Sequence, residues 1–219
     1  MTRPAVRQAA SLLLVYPGDD WPSRLSLVEQ TLGALPRQAA TALGRFCAGA
    51  AGADPIRFAA DYVATFDRSR RRTLYMTYYA DGDTRRRGMS LARVKSVYRA
   101  AGWRPDDTEL PDFLPVMLEF SARCPEPGES LLREHVPGLR RLRSALDDFG
   151  SPYADVVEAV LTTLPEAAPA RRRRAGETTA EADPPVEHVG LDAGPGAGLD
   201  TGLDAGLDAY SAGPRGGHR

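Results

Sequence analysis

Asp112-Phe-Leu-Pro-Val-Met-Leu-Glu-Phe-Ser-Ala122 carries Phe113, Leu114, Val116, Met117, Leu118 and Phe120 in one short run. These apolar side chains do not alternate as they would on a half-buried strand. At helical spacing they cover nearly the whole circumference, which predicts a helix, opened by Pro111, that is buried on several sides by other helices. The neighbouring sequence supplies those helices. Upstream, Leu91, Val94, Val97, Tyr98 and Ala101 run from about Ser90 to a terminal Gly102. Asp54-Pro55 is a cap and first-turn pair, followed by Ile56, Ala59, Val63 and Phe66 on one face with Phe58 and Tyr62 beside it. Ser23 is placed to cap a helix through Ala34, stopped or restarted by Pro36. Downstream, Glu129 to Phe149 reads as helix interrupted or kinked around Pro137-Gly138, and Pro152 to Leu164 carries Tyr153, Val156, Val157, Val160, Leu161 and Leu164. Strand signals are scarce. The expectation is a single all-α helical bundle of about seven to eight helices over residues 1–165.

Composition changes at about residue 165. Residues 166–219 hold 10 of the 21 glycines, the run Arg171 to Arg174 and few bulky apolar side chains, so they are expected to form a disordered low-complexity tail. Its Gly-Leu-Asp-Ala repeats have far too short a period for a solenoid. The chain of 219 residues has 28 basic and 29 acidic side chains. That balance argues against a nucleic-acid binder, and no apolar run approaches the roughly 20 residues needed to span a bilayer. Cys47 and Cys124 are too few for a disulfide framework, and the amino terminus lacks signal-peptide order, so the expected compartment is the cytoplasm. Arginine outnumbers lysine 27 to 1. The clusters Arg70–Arg72 and Arg85–Arg87 form the best basic patch, either a solvated or internally paired face or an electrostatic docking surface.

The parts of familiar catalytic sites are missing. The only lysine, Lys95, does not sit in a phosphate-binding loop, and the three histidines form no metal-ligand pair. Asp81-Gly-Asp83-Thr lacks the later ligands of a calcium loop. A serine or cysteine triad would have to use His135, which reads more simply as a surface histidine on a helix. A protein that binds, rather than one that turns over substrate, is the expectation.

Three segments carry most of the distinctive sequence: Asp61-Tyr-Val-Ala-Thr-Phe-Asp67, Leu74-Tyr-Met-Thr-Tyr-Tyr-Ala-Asp-Gly-Asp-Thr-Arg-Arg-Arg-Gly88 and Glu109-Leu-Pro-Asp-Phe-Leu-Pro-Val-Met-Leu-Glu-Phe120. Their order resembles the NarJ family of nitrate reductase molybdenum cofactor assembly chaperones, within the wider NarJ/TorD class, over approximately residues 8–164. The family usually has histidine where this chain has Phe113, which keeps the bulk and removes a titratable imidazole. The resemblance implies a cytoplasmic, all-helical, non-catalytic chaperone. Such a chaperone binds the immature catalytic (alpha) subunit of respiratory nitrate reductase and holds it competent for insertion of the molybdenum bis-guanine-dinucleotide cofactor and an iron–sulfur cluster before membrane docking. It would keep no cofactor permanently and would be a monomer or weak dimer. An adaptor for another molybdoenzyme, or for a twin-arginine signal peptide, is the alternative.

The residues suit a groove for the client's amino-terminal helix. Tyr62, Phe66, Tyr75, Tyr78 and Tyr79 offer amphipathic rings, and Leu114, Met117 and Leu118 an aliphatic wall. Asp67, Asp83, Asp112 and Glu119 are placed to orient a basic peptide, with Arg85 beside them. A second reading stands next to this one. Phe66, Leu114, Leu118 and Phe120 equally suit plain core, Asp112 a helix-dipole partner, and Arg85–Arg87 the pairing of carboxylates within the fold.

Overall fold

The computed structural model describes residues 2–105 and 108–164. The tail expected over residues 166–219 lies outside the described residues. Among the described residues ten α-helices follow in order: α1 (Thr2–Leu14), α2 (Trp21–Thr31), α3 (Arg37–Ala51), α4 (Pro55–Phe66), α5 (Tyr78–Asp81), α6 (Arg85–Ala100), α7 (Leu114–Arg123), α8 (Pro125–Glu134), α9 (Val136–Asp148) and α10 (Tyr153–Leu161). Two 3₁₀ turns, Leu32–Ala34 and Arg70–Arg72, link them. The all-α reading holds, with more helices than the seven or eight expected because several are short. Among the described residues the only extended pairing is an antiparallel bridge between Tyr75 and Phe113.

Helix α7 is the buried centre. Leu114, Met117, Leu118 and Phe120 have no exposed surface, and α1 and α8 pack directly on the helix. Each such side chain contributes about 1.5–3 kcal/mol through burial. The helix starts at Leu114 rather than Pro111. Residues 111–113 are drawn out to pair with residues 74–76: Met76 N–H donates to Asp112 O at 2.9 Å and Leu114 N–H to Leu74 O at 2.8 Å. Helix α10 completes the interior against α1, α3 and α9. At its edge Phe46, Phe58, Tyr62 and Phe66 surround Tyr153 at ring separations of 4.9–6.1 Å.

Several boundaries differ from expectation for identifiable reasons. Helix α2 begins at Trp21, before Ser23, because Trp21 and Arg24 both turn inward. The buried Arg24 guanidinium donates to the carbonyls of Leu12, Val15 and Tyr16 and so closes the end of α1. Asp54 caps α4 as expected, accepting from Arg57 N–H at 2.9 Å. The helix is rotated, however. Phe58, Tyr62, Thr65 and Phe66 face the core, while Ile56, expected on the inner face, is 82% exposed. Helix α6 starts at Arg85, five residues before Ser90, and ends at Ala100, with Gly102 just past the Ala101 cap at a φ of 70° that only glycine adopts readily. The break between α8 and α9 falls at His135, and Pro137 occupies the first turn of α9.

One buried charge ties four elements together. Arg7, with no exposed surface, donates to Ser121 Oγ at 2.8 Å, Glu129 Oε2 at 3.2 Å, and Thr163 Oγ1 and O at 3.1 and 3.2 Å. Burial lowers the Arg7 pKa, and hydrogen bonding to Glu129 opposes that shift. The close approach of α7 and α8 needs Gly128, where an added Cβ would lie 2.3 Å from Ser121 Cα.

Candidate functional site

The segment between α4 and α6 supplies most of the lining of one surface groove. Helix α4 stops at Phe66 with Asp67 as its last cap, the chain makes the Arg70–Arg72 turn, and residues 73–77 run back under α7. The single turn of α5 then ends at Gly82, whose φ of 58° reverses the chain into α6. Phe66, Asp67, Tyr75, Tyr78, Asp83 and Arg87 surround a groove of about 330 Å³. Across its mouth Arg70 Nη1 lies 2.9 Å from Asp83 Oδ2, with both side chains largely exposed. An exposed pair of this kind contributes at most about 1 kcal/mol and is readily exchanged for another partner.

A buried polar cluster underlies Arg87 of the groove. Asp112 is fully buried, and its Oδ2 accepts from Thr77 N–H at 3.1 Å and from Thr77 Oγ1 at 2.5 Å. Arg87 Nε donates to Thr77 Oγ1 at 3.3 Å, and its Nη2 lies 3.8 Å from the same carboxylate oxygen. Among the described residues Asp112 Oδ1 has no hydrogen-bond partner. Tyr75 packs on Phe113 with ring centroids 5.4 Å apart, and its hydroxyl donates to Glu109 Oε2 at 3.1 Å. Burial first, and then the Glu109 charge, push the Tyr75 hydroxyl up to about 12, so it remains a donor throughout the physiological range.

Five of the residues singled out in the sequence therefore meet in one groove: Phe66, Asp67, Tyr75, Tyr78 and Asp83. Asp112 is beneath it as the support of Thr77 rather than on its surface. The others lie elsewhere. Tyr62 is buried in the aromatic core and donates to Leu14 O at 2.9 Å. Leu114, Met117 and Leu118 are wholly internal, so their place is in the core reading and not on an aliphatic groove wall. Tyr79 turns its ring onto Gly138 of α9, and its hydroxyl donates to Arg71 O and Thr73 O at 3.1 and 2.9 Å. Burial drives the Tyr79 pKa up. Glu119, on α7, accepts from Arg123 Nε at 2.9 Å, and Arg85 is exposed at the start of α6.

A second cavity, of about 460 Å³, shares Arg70 and Tyr78 with the first and adds Arg71, Tyr79, Arg141, Ser144 and Asp148, so Tyr79 also reaches a cavity next to the groove. Arg70 and Arg71 were legible as a basic patch. Arg141, whose Nη1 donates to Tyr79 O at 3.2 Å, comes from α9 and had no local signal in the sequence. His135, expected at the surface, is half-buried where α8 meets α9. Burial lowers its pKa, against the opposing influence of Glu134, Asp112 and a hydrogen bond to the Met76 backbone. Among the described residues no group of three or more His, Cys, Asp or Glu side chains is arranged to hold a metal, and no helix is long and apolar enough to cross a membrane.

Comparison with known proteins adds identity to this geometry. The family described as "Nitrate reductase delta subunit" matches residues 30–159, more than half of the chain. The nitrate reductase-like protein NarX of Mycobacterium tuberculosis is 42% identical over 159 residues, covering 72% of this chain and 24% of NarX; the chain thus spans about a quarter of that relative. Bacillus subtilis NarJ, named as a nitrate reductase molybdenum cofactor assembly chaperone, is 34% identical over 160 residues, 71% of this chain and 86% of NarJ. The Escherichia coli chaperone of the same name is 31% identical over 69% of this chain and 66% of its own length. A crystal structure from Archaeoglobus fulgidus, described as a redox enzyme maturation protein, shares the fold with a TM-score of 0.55 at 20% identity, covering 74% of this chain and 93% of that one. The breadth of the family match and of the B. subtilis similarity establishes that the chain belongs to the nitrate reductase delta subunit family, alongside the NarJ-type assembly chaperones.

Proposed function

We propose that this chain is a non-catalytic, system-specific chaperone for the catalytic (alpha) subunit of a respiratory nitrate reductase. It binds the immature subunit in the cytoplasm and holds it competent for insertion of molybdenum cofactor and an iron–sulfur cluster before membrane docking. The cofactor belongs to the client and is not retained by the chaperone. The work resides in residues 1–165, acting as a monomer or weak dimer. The observation that carries the reading is the groove in which Tyr75, Tyr78, Asp67 and Asp83 converge above the buried Asp112–Thr77 support. Its aromatic rings remove water from an apolar side chain and still satisfy polar neighbours. The exposed Arg70–Asp83 pair is a replaceable gate: a basic client side chain takes over Asp83 and releases Arg70 toward the adjoining cavity. Apolar contact then sets residence time, while the carboxylates set register and encounter rate.

Calorimetric titration of the full chain with a synthetic peptide covering the amino-terminal helix of the same organism's alpha subunit tests this directly. Saturable one-to-one binding with a negative heat-capacity change is expected, weakened at least tenfold by Tyr78→Ala. Absence of binding by a folded sample would remove the proposed client.

A further inference from the structure

The outer face of α4 carries apolar surface that the fold leaves uncovered. Ile56 is 82% exposed, Tyr16 48% and Val15 39%. Ile56, Ala59, Ala60 and Val63, together with Tyr16 and Trp21, line a cavity of about 590 Å³. A contiguous apolar patch of this kind on a small domain marks an interaction surface more often than chance exposure. Positions 56, 59, 60, 63 and 67 also fall on one stripe of the helix, so the patch leads along α4 to Asp67, which lines the groove already described. The aromatic interior runs parallel to the stripe. Tyr16 meets Tyr62 at 5.5 Å between centroids, Tyr62 meets Phe66 at 4.8 Å, and Phe66 forms part of the groove.

Charge on and beside the stripe is one-sided. Asp19, Asp20, Asp54, Asp61 and Asp67 are exposed, against Arg57 and Arg68. Arg24, buried against the carbonyls that end α1, pairs through Nη2 with Asp20 at 3.0 Å and offsets that one carboxylate, which leaves Asp19, Asp54, Asp61 and Asp67 as the acidic border. An apolar floor with an acidic border is complementary to an amphipathic helix whose polar side is basic.

From this continuity we infer that the client's helix extends beyond the Tyr78–Asp83 groove and lies along α4, its apolar side chains on the Ile56–Val63 stripe and its basic side chains among Asp19, Asp54 and Asp67. The inference rests on the client-binding reading of the groove. Ala59 and Ala60 at the middle of the stripe have nothing beyond Cβ, so a second helix approaches to the short end of the usual 8–10 Å range between axes. The 12 residues of α4 measure about 18 Å, so the extension occupies roughly three helical turns of client.

The test titrates the full chain with two synthetic peptides from the alpha subunit's amino terminus, one about 12 residues long and one about 24. The long peptide is expected to bind at least tenfold more tightly. Ile56→Lys, at an exposed position where folding is confirmed by circular dichroism, abolishes that advantage and leaves the affinity of the short peptide unchanged; Ile56→Leu retains it. If the long peptide binds Ile56→Lys within twofold of the parent while Tyr78→Ala still weakens it, the α4 extension is overturned and the groove reading stands. If neither peptide binds the parent chain, the groove reading fails and takes the extension with it. If Ile56→Lys removes self-association but changes no peptide affinity, the face belongs to a second copy of the chain and the inference is overturned.

Discussion

Helices α7 and α4 have similar apolar content and opposite fates. In α7 only the narrow stripe Val116, Glu119, Ala122 and Arg123 reaches water, and the apolar remainder is enclosed against α1 and α8. In α4 the aromatic residues Phe58, Tyr62 and Phe66 have the larger claim on the interior, and the aliphatic stripe Ile56, Ala59, Val63 is turned outward by their burial. Each buried aromatic ring removes more surface from water than the aliphatic residue it displaces, so the rotation follows from relative area. The two helices show that a fold consumes the apolar surface that stabilises it most. What remains exposed is available for a partner.

The sharpest way to break the comparison is to place a charge in α7. Leu114→Asp leaves a carboxylate in a site with no exposed surface and no partner, and is expected to abolish folding, a loss on the order of 4 kcal/mol or more. Chemical denaturation followed by circular dichroism measures it, and a normally folded variant would show that α7 is less enclosed than its burial indicates. A smaller test concerns the seam between α7 and α8. Gly128→Ala brings Cβ to 2.3 Å from the Ser121 backbone, and the two helices must part; a loss of about 1–3 kcal/mol is expected from urea unfolding. Conversely, unchanged stability would mean that the seam gives way freely.

The smallest effect comes from pH. Burial lowers the His135 pKa, so the folded state binds this proton less readily than the unfolded chain does. Its contribution is complete above the ordinary histidine range of about 6.5 and declines as pH falls through that range toward the lowered folded value. Melting temperatures between pH 7.5 and 5 are expected to fall, and His135→Asn should flatten that part of the profile. A profile unchanged by the substitution would assign the acid sensitivity to other groups.

Much of the fold was legible because the decisive signals are local. The apolar wrap of residues 112–122, the Asp54-Pro55 start and the Gly102 stop each depend on a few adjacent residues, and each has its structural counterpart. The orientation of α4 was not legible, since Ile56 and Phe58 are both apolar and only competition within the assembled core decides between them. The Arg7 network was equally hidden, because Ser121, Glu129 and Thr163 are more than a hundred residues away in sequence. For the groove, the cluster of tyrosines and aspartates after residue 61 supplies several of the residues that line it. It did not show that Tyr78 lines both cavities while Tyr79 lines only the second and spends its hydroxyl on backbone carbonyls.

The Tyr75–Phe113 bridge makes the groove's floor part of the same fastening that starts α7. Asp67, Asp83 and Arg70, by contrast, stand on exposed turns that the interior does not hold. Scaffold and rim are thereby separable under mutation. On the proposed client-binding reading, the rim is free to be rewritten for a client of altered charge without disturbing the residues that keep the chain folded, so descendants of this architecture can change allegiance at little structural risk.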